Sequence, residues 1–376
     1  MNIELLDAAR KTVPTLAANA ARTERELRPA PESAAAVREA GLFALRTSKD
    51  AAGHDVDLRT LVEVLAELGS GCPSTAWVVG LCASAKVAIR SMISGPALDR
   101  AMADPDAVAC ASTVMKGASG ERVPGGLRFS GRWAMASGSE LATWALVMVP
   151  LADATEPTMC PTLVPVADLS IDRTWKAAGL AGTSSHTLVA ENVFVPENAV
   201  AFPGGSSSLP SPEALFTGGL AALAPMAGAV RGAQELVAAA IAGQRAPYLT
   251  SYARVADSPL GRYWFTEAMR RTDTAMGRLL HVADAVDALS PDEAMPVTER
   301  IKLRMELSTA ARECREAMEL LLDLHGASGF DEDNPLQRFW RDVAVGTRHP
   351  FFTPYTLAED QGRIAFDVMP TVSFTL

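Results

Sequence analysis

Over the first hundred positions, apolar residues recur at helical spacing. Leu5, Ala9, Val13, Leu16 and Ala20 make one stripe, which Pro14 is expected to kink. Pro29 and Pro31 break the chain, and Ser33 is placed to cap a short second helix. Positions 39–53 read as a connector. Between Asp57 and Leu68, the residues Leu58, Leu61, Val62, Leu65 and Leu68 share one face of an amphipathic helix, and Gly69, Gly71 and Pro73 are expected to end it. Ser74 to Ser94 forms another helix, apolar nearly all round at its start (Ala76, Trp77, Val78, Val79, Leu81), with Lys86 as its one awkward member.

The pattern changes near Val108. From there to Pro203 the segments are short, β-branched and separated by turn residues. Leu127–Ser137, Trp144–Pro150 and Thr187–Pro196 read as strands, and Pro124, Gly125 and Gly126 read as a turn between the first of these and a strand before it. Phe202–Pro212 reads as a flexible connector, and helical spacing then returns over Pro212–Gln244, Pro259–Leu289 and Glu299–His325. In the last of these Leu303, Leu307, Ala310, Cys314, Ala317, Leu321 and Leu324 step by four and three, as antiparallel bundle packing requires. A shorter helix follows. Asn334 and Pro335 form an N-cap and first-turn proline; Leu336, Phe339, Trp340 and Val343 take the inner face, and Gln337, Arg338, Arg341 and Asp342 the outer. That helix delivers His349 to a fixed place. The chain is thus mainly α with a middle β-domain: 1–107 helical, 108–206 β, and 207–376 a helical bundle.

Composition narrows the function. Net charge is −10 with no Lys/Arg cluster, a poor surface for nucleic acid or an anionic membrane. The five cysteines are scattered with no CxxC pair, which predicts free thiols and a cytoplasmic protein without structural zinc. The N-terminus carries Glu4 and Asp7 where a signal peptide would be basic and then apolar. Ala214–Val230 is mostly alanine and glycine and contains Pro225, so it reads as a packing helix and not a membrane span. No GxGxxG, Walker loop, HExxH or GxSxG occurs, which argues against Rossmann dehydrogenases, P-loop NTPases, zincins and α/β-hydrolases. The five histidines show no paired spacing, so no metal site is expected.

Three runs resemble one family: positions 41–80, positions 127–147 with 174–196, and the stretch GASGFDEDNPLQRFWRDVAVGTRH ending at His349. Together they resemble the two-component flavin-dependent monooxygenases (group D) built on the acyl-CoA dehydrogenase fold. The resemblance implies an N-terminal helical domain, a β-barrel or sandwich domain and a C-terminal four-helix bundle. It also implies reduced FAD or FMN from a separate flavin reductase, O2 as co-substrate, a C4a-hydroperoxide, and hydroxylation of a small or polycyclic aromatic substrate. The alanine- and arginine-rich composition associates such a chain with natural-product biosynthesis.

By the same resemblance, Ser137, Ser112 and Thr113 are expected at the flavin, with Trp133 on the same strand and Gly182, Thr183 and Ser184 from the loop GLAGTSSH; His186 is expected to be structural. A flavin needs small polar donors close to backbone along the ring edge where charge develops, so Ser137 is expected to donate to the ring. His349 matches the family's flavin-side histidine, able to accept a substrate phenolic proton or to manage the peroxide proton. The second histidine carried by many members is replaced by Ser84 and Ala85. Two rivals stand beside this reading: an acyl-CoA dehydrogenase-type desaturase with Glu359 as base, and a non-catalytic protein that keeps the fold. A homotetramer is expected through the C-terminal bundle, using small-residue stretches such as Ala221–Ala240.

Overall fold

Among the residues described by this computed structural model (2–152, 158–202, 211–243, 246–290 and 294–373), helices come first, strands second and helices again last. The first group is α1 (Ile3–Glu26), α2 (Pro31–Glu39), α3 (Leu58–Gly71), α4 (Pro73–Met92) and α5 (Pro96–Met102). Asn2 caps α1 by accepting the Leu5 N–H, and the helix runs through Pro14 without ending there. Ser33 does not cap α2: Ala30 is the N-cap, Pro31 fills the first turn, and Ser33 is buried. Helix α3 begins on Asp57, whose carboxylate accepts the Thr60 N–H, and continues past Gly69 to Gly71. On α4, the Lys86 ammonium donates to Phe43 O, Thr47 Oγ1 and Pro105 O, so each of its protons has a partner although it is buried.

The middle of the chain forms β1 (Ala109–Ser112), β2 (Val114–Val123), β3 (Gly126–Ala136), β4 (Trp144–Pro150), β5 (Met159–Pro165), β6 (Ser170–Asp172) and β7 (His186–Pro196). One sheet has the order β1-β4-β5, the other β2-β3-β7-β6. Their inner faces share a core containing Leu127, Phe129, Trp133, Val147, Leu163 and Leu188. Strand β3 carries irregularities between Phe129 and Gly131 and between Trp133 and Ala136. The second twists the strand end where Ser137 follows.

Helices α6 (Pro212–Ala242), α7 (Pro259–Asp287), α8 (Val297–His325), α9 (Pro335–Gly346) and α10 (Pro354–Ala365) complete the fold. Most of the expected connector before α6, and the domain boundary expected at 206/207, lie outside the described residues. Helix α6 is long and apolar enough to cross a bilayer, but it is mostly buried inside the fold. Its small residues serve the monomer. A Cβ on Gly228 would lie 1.9 Å from the Ala66 carbonyl oxygen, and one on Gly69 2.3 Å from that of Pro225. The backbones of α3 and α6 therefore touch, and residues 221–230 of the stretch expected to meet a second subunit are already buried within the chain, while Glu235 and Ala239 are exposed. Gly69 serves this approach and does not end α3.

Helix α9 departs from its expected polarity. Asn334 caps it and Leu336, Phe339 and Val343 are buried as expected. Gln337 and Asp342, assigned to the outer face, are buried too. Trp340 is only partly buried, its Nε1 donating to Glu319 Oε1 at 3.0 Å. For Asp342 the physical reason is a turn at 178–180 that lies against it and Arg341, while Gln337 bonds to Glu332 O and Arg341 Nε.

Candidate functional site

His349 follows α9 and caps a 3-10 turn, Pro350–Phe352, with Nδ1 accepting the Phe351 N–H at 3.3 Å. From α8, Ser308 Oγ donates to Phe352 O at 3.0 Å, and the Arg304 guanidinium stacks over Phe351 at 4.8 Å. The imidazole packs edge-on against Trp77 of α4 (5.9 Å, 63°) and tilted against Phe352 (5.9 Å, 56°). Burial holds its pKa below the usual 6.5, so the ring is neutral at pH 7. With Nδ1 accepting from backbone, the neutral ring carries its proton on Nε2.

From Trp77 a chain of hydrogen bonds leads into the β-domain. Trp77 Nε1 lies 3.2 Å from Ser137 Oγ, Ser137 Oγ 2.8 Å from Ser185 Oγ, and Ser185 Oγ 2.7 Å from Thr183 Oγ1. Thr183 Oγ1 lies 2.8 Å from Leu180 O. Both ends have fixed roles, because an indole N–H only donates and a carbonyl only accepts. Thr183 therefore gives its one proton to Leu180 O, Ser185 gives its own to Thr183, and Ser137 gives its own to Ser185. Ser137 is left with a free lone pair and no free proton, so in this arrangement it is an acceptor and not the donor expected.

The loop that supplies these hydroxyls is tightly held. Gly138 N donates to Thr183 O at 2.8 Å and Ser139 Oγ to Ser184 O at 2.6 Å. Leu180 and Ser184 sit at φ 52 and 44, and Met135 at φ 60 on the end of β3, conformations that L-residues rarely adopt. The Ser184 hydroxyl is buried and has no partner among the described residues. His186, expected to be structural, is buried and its Nδ1 accepts the Trp175 N–H.

The expected site residues thus divide. Ser137, Thr183 and Ser184 come together, and Trp77 links them to His349. Ser112 lies nearby in the sheet, its hydroxyl donating to Ala134 O at 2.5 Å, and Thr113 is exposed beside it. Trp133 belongs to the β-domain core, fully buried with Nε1 donating to Met148 O at 2.8 Å, so its indole is turned away from this chain of hydroxyls. Gly182 faces helix α1, where a Cβ would meet Thr23 Cγ2 at 2.3 Å. Trp77, read only as a buried apolar residue, and Ser185, passed over in favour of its neighbours, were missed. The run of hydroxyls in GTSSH was the available signal for Ser185. Glu359 is exposed on α10 and pairs with Arg363 at 2.7 Å, away from these groups. Among the described residues no three His, Cys, Asp or Glu side chains gather in a way that could hold a metal ion.

Comparison with known proteins fits this arrangement. Residues 220–354 match the family model described as acyl-CoA dehydrogenase, C-terminal domain. The fold is similar to that of XiaF from Streptomyces sp., solved in complex with FADH2 and glycerol: TM-score 0.92, 29% identity, 100% of this chain and 97% of that one. It is also similar to 3-HSA hydroxylase from Rhodococcus sp., with a TM-score of 0.87, 26% identity and 99% of each chain covered. These define a flavoenzyme of acyl-CoA dehydrogenase fold. In sequence the chain is 32% identical to the oxygenase component of an FADH2-dependent resorcinol hydroxylase from Rhizobium sp., covering 88% of this chain and 86% of that one. It is 28% identical to the oxygenase subunit HsaA of a flavin-dependent monooxygenase from Rhodococcus jostii, covering 90% and 91%. The chain belongs to the flavin-dependent monooxygenases of this fold, oxygenase components that work with reduced flavin from a separate reductase.

Proposed function

We propose that the chain hydroxylates an aromatic substrate at the seam between α4, the end of β3, the 180–185 loop and His349. The observation that carries this reading is the connected set His349–Trp77–Ser137–Ser185–Thr183. A reduced flavin suits these residues: Ser137 offers a lone pair, Ser184 a buried hydroxyl without a partner, and Trp77 an apolar face. Ser112 and Thr113 would reach the flavin only from further along the sheet, the Ser112 hydroxyl being engaged with Ala134 O and Val114 N. When bound, reduced FAD or FMN supplies the two electrons that activate O2. Of the two uses expected for His349, proton donation from Nε2 matches its tautomer; acceptance there requires the ring to exchange protons first. Nε2–H would stabilise negative charge developing on an oxygen of the reacting partners.

The substrate is bounded by α4 and α6. Ser84, where the family resemblance leads to the expectation of a second histidine, is partly buried, and a Cβ on Gly218 of α6 would lie 3.4 Å from its hydroxyl. A single added carbon on Gly218 would thus touch Ser84, and neither position offers a second titrating imidazole. The assembly we propose is a homotetramer in the cytoplasm. Its contacts would use Tyr248, Leu249, Leu260 and Tyr263, which are 89%, 87%, 72% and 62% exposed at the α6–α7 connection and the start of α7. Light scattering that returned the mass of one chain would overturn the tetramer.

The test of the site is His349→Ala with reduced FAD and reduced FMN, titrated anaerobically and then mixed with O2 and a panel of phenols. The expected variant folds, binds reduced flavin, consumes oxygen and releases it as hydrogen peroxide, with product lowered about 10²-fold. Near-wild-type product together with a lower melting temperature would place His349 in the fold and not in the chemistry.

A further inference from the structure

The hydroxyl chain ends on the carbonyl of Leu180, and the N–H of the same residue is held from outside the site. Leu180 N donates to Asp342 Oδ1 at 2.5 Å across 162 positions of sequence. Asp342 lies on α9 and is 4% exposed. Around this bond the 178–180 turn is pressed onto α9. A Cβ on Gly179 would lie 2.0 Å from Arg341 O, and Arg341 Nη1 donates to Ala178 O at 2.6 Å while pairing with Glu24 of α1. Leu180 O receives three donors, Trp175 Nε1 and Thr183 Oγ1 each at 2.8 Å and Thr183 N at 3.2 Å. Leu180 reaches this geometry only in the left-handed region, at φ 52, which a leucine leaves readily once unrestrained. Asp342 therefore sets where the Leu180 carbonyl points, and that carbonyl sets the direction of every proton in the chain back to Ser137.

We propose that Asp342 is a positioning residue for the reaction: through Leu180 it fixes the hydrogen-bond chain so that Ser137 presents a lone pair, and this lone pair selects reduced over oxidised flavin. The proposal rests on the reading of Ser137 as a flavin contact. Reduction of a flavin adds an N–H at N5, so a fixed acceptor in the site gains a partner that the oxidised ring lacks. If the chain reversed, Ser137 would offer a proton and the preference would fall. Asp342 touches neither flavin nor substrate in this scheme. Its carboxylate is the outer end of a tether, with Glu24 of α1, Arg338 and Arg341 of α9 and Cys72 before α4 as the ionisable groups around it.

The experiment measures Kd for reduced FAD anaerobically and for oxidised FAD in air, and reads their ratio. Asp342→Ala is expected to lower the preference for reduced flavin about tenfold, the worth of one hydrogen bond to a polar group. Asp342→Asn keeps an acceptor for Leu180 N–H and is expected to retain the wild-type ratio. Thr183→Val cuts the same chain inside the loop at nearly constant volume and is expected to reproduce the Asp342→Ala ratio, which covers the case in which Asp342→Ala fails to fold. In protein without flavin, the Trp175 contribution to fluorescence, isolated against Trp175→Phe, should shift in Asp342→Ala and not in Asp342→Asn. Equal losses for both redox states of the flavin, or a failure of Asn to restore the ratio, would overturn the proposal. If Ser137→Ala weakens reduced flavin while Asp342→Ala and Thr183→Val leave the ratio alone, the tether is wrong and the Ser137 contact stands. If Ser137→Ala changes neither affinity, the Ser137 contact itself fails, and the proposal with it.

Discussion

The α3–α6 crossing and the seam around His349 are both buried, but they are built from opposite materials. At the crossing, glycine and alanine bring two backbones into contact, and alanines along α6 such as Ala221, Ala224 and Ala227 are fully buried. Its stability comes from packing at close range, with little polar material to satisfy. At the seam, side chains meet through Oγ and indole nitrogen, and each polar atom needs a partner of the right kind. The crossing tolerates no added volume. The seam tolerates volume better than it tolerates a lost donor or acceptor, because its order is directional. A monooxygenase needs both: a scaffold that does not yield, and a cluster whose protons have defined places.

The largest expected effect tests the crossing. Gly228→Val would force a side chain into the Ala66 carbonyl, and we expect a loss above about 4 kcal/mol, read as failure to give folded protein or as a collapse of the melting temperature. A stable Gly228→Val variant would show that α3 and α6 can separate, and would remove the contrast drawn above.

The next effect tests the seam through pH. Burial raises the Asp342 pKa to about 7, above its unfolded value near 3.9. The folded state therefore holds this proton more tightly than the unfolded chain. The resulting stabilisation is full below about pH 4 and is lost as pH rises to about 7. Between pH 5 and pH 8 the wild type should lose roughly 2–3 kcal/mol through this group, and Asp342→Asn should lose that much less. Urea unfolding at the two pH values checks this; parallel pH dependence in both proteins would exclude Asp342 as the titrating group.

A smaller effect sharpens the comparison at His349. Ser308→Ala removes the hydroxyl that holds Phe352 O and should cost about 1 kcal/mol of stability. Because the same turn sets the imidazole, more oxygen should appear as peroxide, measured by a peroxidase-coupled assay. A change in stability without added peroxide would show that Pro350–Phe352 holds its shape without α8. The smallest expected effect is at Glu359→Gln. The residue is an exposed partner of Arg363, so stability should move by less than about 0.5 kcal/mol and turnover should stay within about twofold. A large loss of turnover would reopen the desaturase reading.

Much of the fold was legible because local rules write themselves into short stretches. Asn334 with Pro335, Asp57 before α3, and the apolar run Trp144–Pro150 each appear as read, since caps and strand patterns depend on neighbours within a few positions. Strand β6 and helix α5 escaped notice because each is short, and β5 because Pro161 and Pro165 interrupt its apolar run. Of the site, the resemblance of three runs brought Ser137, Thr183, Ser184 and His349 forward. It also brought Trp133 and Gly182, whose neighbours in space turn them to the β-core and to α1.

What sequence by itself determined, then, is which faces of single elements are apolar, where elements begin, and which family the chain resembles. Only the tertiary structure decided the fate of polar residues on faces that looked solvated. Asp342 and Gln337 occupy the outer stripe of an amphipathic helix, and helical periodicity assigns such a stripe to water. Asp342 is buried because a turn from 162 positions earlier lies across it and offers it the Leu180 N–H, and Gln337 is held between Glu332 O and Arg341 Nε. Likewise Trp77 is one apolar residue among many in α4 until Ser137, sixty positions later, meets its indole nitrogen. Periodicity reports which way a side chain points from its own element. Whether water or another segment waits there is settled by long-range packing, and in this protein the directional hydrogen bonds of the site are made at those meetings.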